Sequence, residues 1–204
     1  MIPAPAPIAS PDASIEDLFE AAGALRRGHF LLKSGRHSDR YLEKFAVLQF
    51  PSMTVEIGRR LADALAPYDP TLVVGPTTGG VLLAYETARQ LEARLGRPVR
   101  GVFAEPMERG RRALRRGWPV GPDDRIVVVD DILTTGASLV ETIDAVGAAG
   151  GRPLAAAVIV DRSTQVVNLG IPLLPLARIE IGSWEADRCP RCAAGDLVEK
   201  PGSS

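Results

Sequence analysis

Cysteine is nearly missing from this 204-residue chain. Two residues, Cys189 and Cys192, are too few for a disulfide framework. Long hydrophobic runs are missing too: the longest, Leu154 to Val160, falls far short of the roughly 20 apolar residues that cross a bilayer. The start, Met1 to Pro7, has neither the basic region nor the continuous apolar stretch of a signal peptide, so a soluble cytoplasmic protein is expected. No excess of either charge exists, since 24 Lys plus Arg stand against 25 Asp plus Glu for a net −1. That balance argues against bulk electrostatic attraction to nucleic acid or to an anionic membrane. Aromatic residues are only 5%, so a core has to be built from Ala, Val, Leu and Ile. There is no internal repeat and no Gly-x-x-x-x-Gly-Lys-Ser/Thr, which sets aside P-loop nucleotide hydrolysis.

What is present is globular: 46% apolar and 24% charged residues in a length that suits one domain. Residues 1–13, rich in Pro and Ala, read as a flexible lead-in, and residues 14–204 as a single domain. Ser14-Ile15-Glu16-Asp17 predicts a capping box, followed by Ile15, Leu18, Phe19 and Ala22 on one helical face. Met53, Ile57, Leu61 and Leu65 predict a helix over Ser52–Ala66. Strands are expected at Thr71–Val74, Val99–Ala104, Ile126–Val129, Leu154–Val160 and Ala177–Ile181, with helices over Val81–Leu95 and up to Ala149. Strand alternating with helix predicts an α/β protein whose central, mostly parallel sheet is flanked by helices.

In such sheets ligands bind at the carboxyl ends of the strands. The polar clusters of this chain fall there: Thr77-Thr78 with glycines after one strand, Asp130-Asp131 with Thr134-Thr135 after a second, and Asp161-Arg162 after a third. In Val127 to Ser138 an apolar strand ends in two acids, and a hydroxyl-rich turn leads into a helix. Backbone N–H groups at a helix start, joined by Thr134, Thr135 and Ser138, suit a phosphate dianion, and Gly136 lets the backbone approach it. Asp130 and Asp131 suit sugar hydroxyls, or a Mg²⁺ ion that keeps its waters. Together they describe a ribose 5-phosphate site.

This segment resembles the 5-phosphoribosyl-1-diphosphate (PRPP) motif of type I phosphoribosyltransferases. The resemblance spans roughly residues 15–202 and implies that family's fold, with a small hood formed by the N-terminal segment and the tail. It assigns PRPP binding to Asp130, Asp131, Ile132, Leu133, Thr134, Thr135, Gly136, Ala137 and Ser138. Thr134 stands where hypoxanthine-guanine enzymes usually carry Asp and adenine enzymes Ala, and matches the orotate phosphoribosyltransferases. Gly28 to Ser38 is similar to their signature, in which a Lys, here Lys33, contacts PRPP. A nearby aromatic pair covers the pyrimidine there; here the pair is Tyr41-Leu42. Asp161-Arg162 matches the family's late Asp-Arg, so Arg162 is expected to grip the orotate carboxylate. Gly75 to Val81 is similar to the diphosphate loop, with Thr78 and Gly79 as contacts; many relatives have Lys where this chain has Gly79.

The segment Glu105–Trp118 carries Arg109, Arg111, Arg112, Arg115 and Arg116, where family members have a flexible loop that closes over the partner subunit's site. Gapless placement puts Glu105-Pro106 on the family's Arg-Lys, Arg109 on its later Lys and Arg111 on its His, while a shifted loop would bring Arg112 or Arg115 instead. The implied reaction joins orotate and PRPP to give orotidine 5′-monophosphate and diphosphate, with Mg²⁺ held mainly through PRPP and water, in a homodimer with shared active sites. Another acceptor base, or a non-catalytic PRPP-sensing regulator, is the alternative, and no helix-turn-helix extension supports the regulator. Cys189-Pro190-Arg191-Cys192 supplies half of a zinc-ribbon pattern. It reads as free thiols, a disulfide, or a zinc site needing two further ligands from a partner chain.

Overall fold

The computed structural model describes residues 13–32 and 34–201; residues 1–12, Lys33 and 202–204 lie outside the described residues. Helix α1 (Ile15–Ala21) precedes strands β1 (Leu25–Leu31) and β2 (His37–Leu42). Helices α2 (Lys44–Leu48) and α3 (Pro51–Leu65), strand β3 (Leu72–Pro76) and helix α4 (Gly79–Leu95) follow. Strands β4 (Arg100–Met107), β5 (Arg111–Ala113) and β6 (Ile126–Leu133) lead to helix α5 (Ala137–Ala148). Strands β7 (Pro153–Asp161), β8 (Leu173–Arg178) and β9 (Ser183–Trp184) and helix α6 (Pro190–Ala193) complete the chain. Contacts divide it into two compact units, a continuous one over 48–178 and one that combines the N-terminal segment up to 47 with the tail from 179.

The larger unit holds a six-stranded sheet in the order β5-β4-β3-β6-β7-β8. Every neighbouring pair is parallel except β4–β5. Ile126 to Val129 of β6 are fully buried in its middle, as a β-branched run with no polar face requires. Helix α3 forms because Met53, Ile57, Leu61 and Leu65 recur on one face and are buried, with Pro51 tolerated in its first turn. Helix α4 ends at Gly96, whose φ of +66° suits a residue without Cβ.

Two expectations change here. The last strand of this sheet is Leu173–Arg178, not Ala177–Ile181. Leu173 and Leu174 pair with Ala156 and Ala157 of β7, and Pro175 is tolerated because β8 lies at the sheet's edge. The arginine segment is not a plain loop. Strand β4 runs on to Met107, turns through Arg109 and Gly110, both left-handed, and returns as β5, pairing Glu105 with Ala113 and Met107 with Arg111.

The smaller unit is a three-stranded antiparallel sheet, β1-β2-β9, with α1 beside it. The predicted capping box is present: the Asp17 N–H donates to Ser14 Oγ at 3.1 Å and the Ser14 N–H to Asp17 Oδ2 at 2.9 Å. The tail joins the outer edge of β1, where the Leu31 N–H donates to the Glu199 carbonyl at 2.8 Å and the Glu199 N–H to the His29 carbonyl at 2.7 Å.

Candidate active site

Strands β3, β6 and β7 are parallel neighbours, so their carboxyl ends share one edge of the sheet. Asp130 and Asp131 lie within β6 and are buried. Backbone and hydroxyl donors aim both carboxylates. Asp130 Oδ1 accepts from the Asp131 N–H at 2.8 Å and Oδ2 from the Ser138 hydroxyl at 2.5 Å, while Asp131 Oδ1 accepts from the Ile132 N–H at 2.8 Å. Leu133 is buried and Ile132 half-buried, so they offer the site backbone, not side chain.

Beyond Leu133 the chain turns through exposed Thr134 and Thr135 into α5. Gly136 caps that helix at φ +83°, and a Cβ there would lie 2.5 Å from Val167 Cγ1. Both constraints select glycine. Thr135 Oγ1 accepts from the Ala137 N–H at 3.4 Å, and the first-turn N–H groups of α5 have no carbonyl one turn earlier within the helix. The turn therefore combines hydroxyls with the positive end of a twelve-residue helix.

Strand β7 extends beside this turn. The Arg162 N–H donates to the Leu133 carbonyl at 3.0 Å, and Arg162 Nε donates to Thr134 Oγ1 at 3.1 Å. The two residues read from sequence as facing the base thus touch each other. Asp161 is buried and accepts from the Ser163 N–H at 2.8 Å, which fixes the start of the following loop.

The turn from β3 into α4 packs against the β6 acids. A Cβ on Gly75 would sit 2.0 Å from the Gly80 carbonyl oxygen, and one on Gly79 2.2 Å from Asp131 Oδ2. Gly79 is thus where two of the predicted PRPP segments meet. The Thr77–Thr78 peptide is cis, and the Thr77 N–H donates to the Ala104 carbonyl at 3.0 Å.

Of the hairpin's arginines, Arg112 is the one that meets this turn of its own chain. Arg112 Nη1 reaches Thr77 Oγ1 and the Ala104 carbonyl, both at 3.3 Å, while its Nε donates to Glu141 Oε2 at 3.1 Å. Arg116 pairs with Glu105 at 2.6 Å. Arg109 and Arg111 are exposed and form no ion pair among the described residues. Strand alternation makes the difference, because Arg111 and Arg112 point to opposite sides of β5.

In the smaller unit, alternation likewise separates Tyr41 from Leu42. Leu42 is buried opposite Leu25, whereas the half-buried Tyr41 ring packs on Phe30 at 5.8 Å and its hydroxyl donates to Glu43 Oε2 at 3.3 Å. Lys33 falls outside the described residues. For the cysteines the free-thiol reading holds, and the disulfide and partner-chain readings are corrected. They are not disulfide-bonded, and the groups that meet them come from this same chain: His29 of β1 and His37 of β2. The missed signal was scarcity, since these are the chain's only two histidines.

Residues 49–169 match the family model described as the phosphoribosyl transferase domain. The chain is 43% identical over 189 residues to the orotate phosphoribosyltransferase of Heliobacterium modesticaldum, spanning 92% of this chain and 95% of that one. To the orotate phosphoribosyltransferase of Thermotoga maritima it is 40% identical, over 93% and 97% of the two chains. The crystal structure of orotate phosphoribosyltransferase from Aeropyrum pernix aligns with a TM-score of 0.64 at 26% identity, across 81% of this chain and 93% of that one. Nearly end-to-end matching at this identity, around a strand-end turn built as the PRPP motif demands, has one outcome: the chain belongs to the orotate phosphoribosyltransferases, on the type I phosphoribosyltransferase fold.

Proposed function

We propose that the protein transfers the 5-phosphoribosyl group of PRPP to orotate, releasing diphosphate and forming orotidine 5′-monophosphate in pyrimidine nucleotide synthesis. The observation that carries this reading is the contact between Arg162 and Thr134 beside the Asp130–Ser138 turn. It sets a guanidinium suited to a carboxylate next to a turn suited to a phosphate. In this reading the turn from Thr134 to Ser138 binds the 5-phosphate, and Asp130 and Asp131 face the ribose. Arg162 takes the orotate carboxylate, and Tyr41 supplies the one ring of the Tyr41-Leu42 pair.

The anomeric carbon passes through an oxocarbenium-like state, which Asp130 and Asp131 stabilise by charge while the pocket holds the two substrates in line. No nucleophilic side chain is needed. The donor set at the β6 end is hard oxygen, which suits Mg²⁺. Both oxygens of Asp130 already accept hydrogen bonds, so the ion would be held mainly through PRPP and water, with Asp130 and Asp131 as the nearest protein groups. Bound there, Mg²⁺ supplies charge neutralisation for the departing diphosphate.

The test is orotate consumption that depends on both PRPP and Mg²⁺. Equal use of uracil and orotate would remove the role given to Arg162. The reading also includes a homodimer in which Arg109 and Arg111 serve the partner's site, supported by their exposure on the β4–β5 hairpin. Mixing an Asp130→Asn/Asp131→Asn variant with an Arg109→Ala/Arg111→Ala variant should then restore activity, as one site of each heterodimer has both elements intact. No recovery would place hairpin and motif in the same chain.

A further inference from the structure

We propose that His29, His37, Cys189 and Cys192 form a structural zinc site that fastens the tail to the β1–β2 hairpin. The chain contains two histidines and two cysteines in all, and these four residues converge, with one ligand atom from each lying within 4.8 Å of all the others. Three separate stretches of sequence supply them. His29, His37 and Cys189 are buried, while Cys192 is exposed and leaves a path by which an ion can enter.

The distances fit a tetrahedral ion. Cys189 Sγ lies 3.5 Å and Cys192 Sγ 3.6 Å from His29 Nε2, and Cys192 Sγ lies 3.2 Å from His37 Nδ1. A tetrahedron with Zn–S of about 2.3 Å and Zn–N of about 2.0 Å has S···N edges of about 3.5 Å. The His29 Nε2 to His37 Nδ1 distance of 2.8 Å is shorter than such a site requires, and a small rotation of either imidazole opens it.

The local chemistry prepares the nitrogens. His29 Nδ1 lies 2.9 Å from the Asp196 carbonyl, which only accepts, so that nitrogen carries the proton and Nε2 presents its lone pair to the cluster. His37 pairs with Leu31, two residues on from His29, so strand alternation sets both histidines on one face of the hairpin. Two soft thiolates with two imidazoles select zinc over Mg²⁺. Binding replaces the two thiol protons, which leave to solvent, and gives a site with no net charge. Four protein ligands close the coordination shell, so the ion has a holding role and no open position for chemistry.

The site also explains how this unit closes. The unit is small although Leu18, Phe19 and Phe30 are buried, and small units gain from added cross-links. The residues between Cys189 and Glu199 would be pinned at one end by the ion and at the other by the backbone pairing of Glu199 with β1.

The test is the zinc content of the full-length, untagged protein, purified reduced and without chelator and then supplied with zinc. One zinc per chain is expected, with both thiols unreactive towards a thiol reagent until a strong chelator or denaturant is added. Cobalt in place of zinc should give the intense visible bands of a tetrahedral thiolate site. Cys189→Ser/Cys192→Ser should lose the metal, whereas His37→Cys, which preserves four ligands, should keep it. Chelation should speed hydrogen exchange at the Leu31 and Glu199 amides and leave β6 and β7 unchanged. The proposal is overturned if the reduced, zinc-supplied wild type holds well under one zinc per chain with freely reactive thiols. It is equally overturned by a Cys189–Cys192 disulfide in protein kept from oxidation, or by full zinc content in the double serine variant.

Discussion

Residues 48–178 are organised around a continuous apolar interior, in which Val127, Val128, Val158 and Ile159 have no exposed surface and helices α3 and α4 add Ile57, Leu61, Leu83 and Leu91. The smaller unit is joined quite differently. Arg26 holds Glu199 at 2.7 Å, the Ser38 hydroxyl donates to the Gly182 carbonyl at 2.7 Å, Arg36 binds Ser183 and Glu185, and histidines meet cysteines from the tail. The first unit is held by burial summed over many side chains; the second adds to its buried Leu18, Phe19 and Phe30 a set of directional cross-links between segments distant in sequence. Asp130, Asp131 and the Thr134–Ser138 turn are rooted in the sheet of the first unit.

The sharpest separation of chemistry from packing is Asp130→Asn with Asp131→Asn. One amide oxygen at each position can still accept, from the Ser138 hydroxyl and the Ile132 N–H, and only the bond from the Asp131 N–H is lost, so the fold should persist with a modest stability cost. Loss of transition-state charge stabilisation should lower kcat/KM on the order of 1,000-fold or more, about 4 kcal/mol. If the thermal midpoint collapses together with activity, the two roles are not separable. Next is Ile126→Ala, which empties a fully buried position among Leu72, Val74 and Val146. It should cost about 2–5 kcal/mol of stability in urea titrations, and a cost below about 1 kcal/mol would deny the larger unit its burial-based account.

Arg162→Ala should weaken orotate binding by about 2–4 kcal/mol, as expected for loss of a charge-assisted pair, with a far smaller change for PRPP. Calorimetry with each substrate separates the two, and equal losses would point to a general disturbance of the Thr134 turn. A smaller effect belongs to α3. There the Arg59 hydrogen bond, seconded by Arg60, draws the Glu56 carboxyl down from an ordinary 4.5 to about 2. A depressed carboxylate stabilises the fold above its ordinary value and loses that contribution as pH falls towards 2. Glu56→Gln should therefore cost about 1 kcal/mol at pH 7, with the difference from wild type shrinking between pH 4.5 and pH 2. A difference that is flat with pH would remove the ion pairs as its cause. Smallest of all, Glu199→Gln breaks a half-exposed pair with Arg26 and should cost less than about 1 kcal/mol.

Legibility followed the same division. Helices α3, α4 and α5 and strands β3, β6 and β7 were readable because burial imposes a period of four or of continuous apolar residues on the sequence. The Asp130–Ser138 turn was readable because phosphate binding needs unusual residue types in one short run. Strand β8 was displaced in the reading by Pro175, a breaker that an edge strand tolerates. The contact of Arg112 with the Thr77 turn was not legible, because side-chain direction depends on the register of a hairpin that no apolar alternation announced. The partners of Cys189 and Cys192 were hidden because His29 and His37 lie some 150 residues upstream, and no local pattern records a pairing across that span.

The composition of the smaller unit also fixes an order of events during synthesis. Strands β1 and β2 are among the first structured residues to leave the ribosome, but Ser183, Cys189, Cys192 and Glu199, which complete their pairing, are among the last. The larger unit, one unbroken stretch between them, has all its own contacts in hand earlier. At translation rates of about 5–20 residues per second, the early hairpin waits roughly 10 to 30 seconds for the tail. Within this chain the hairpin's own strands are thus made well before the residues that complete their pairing.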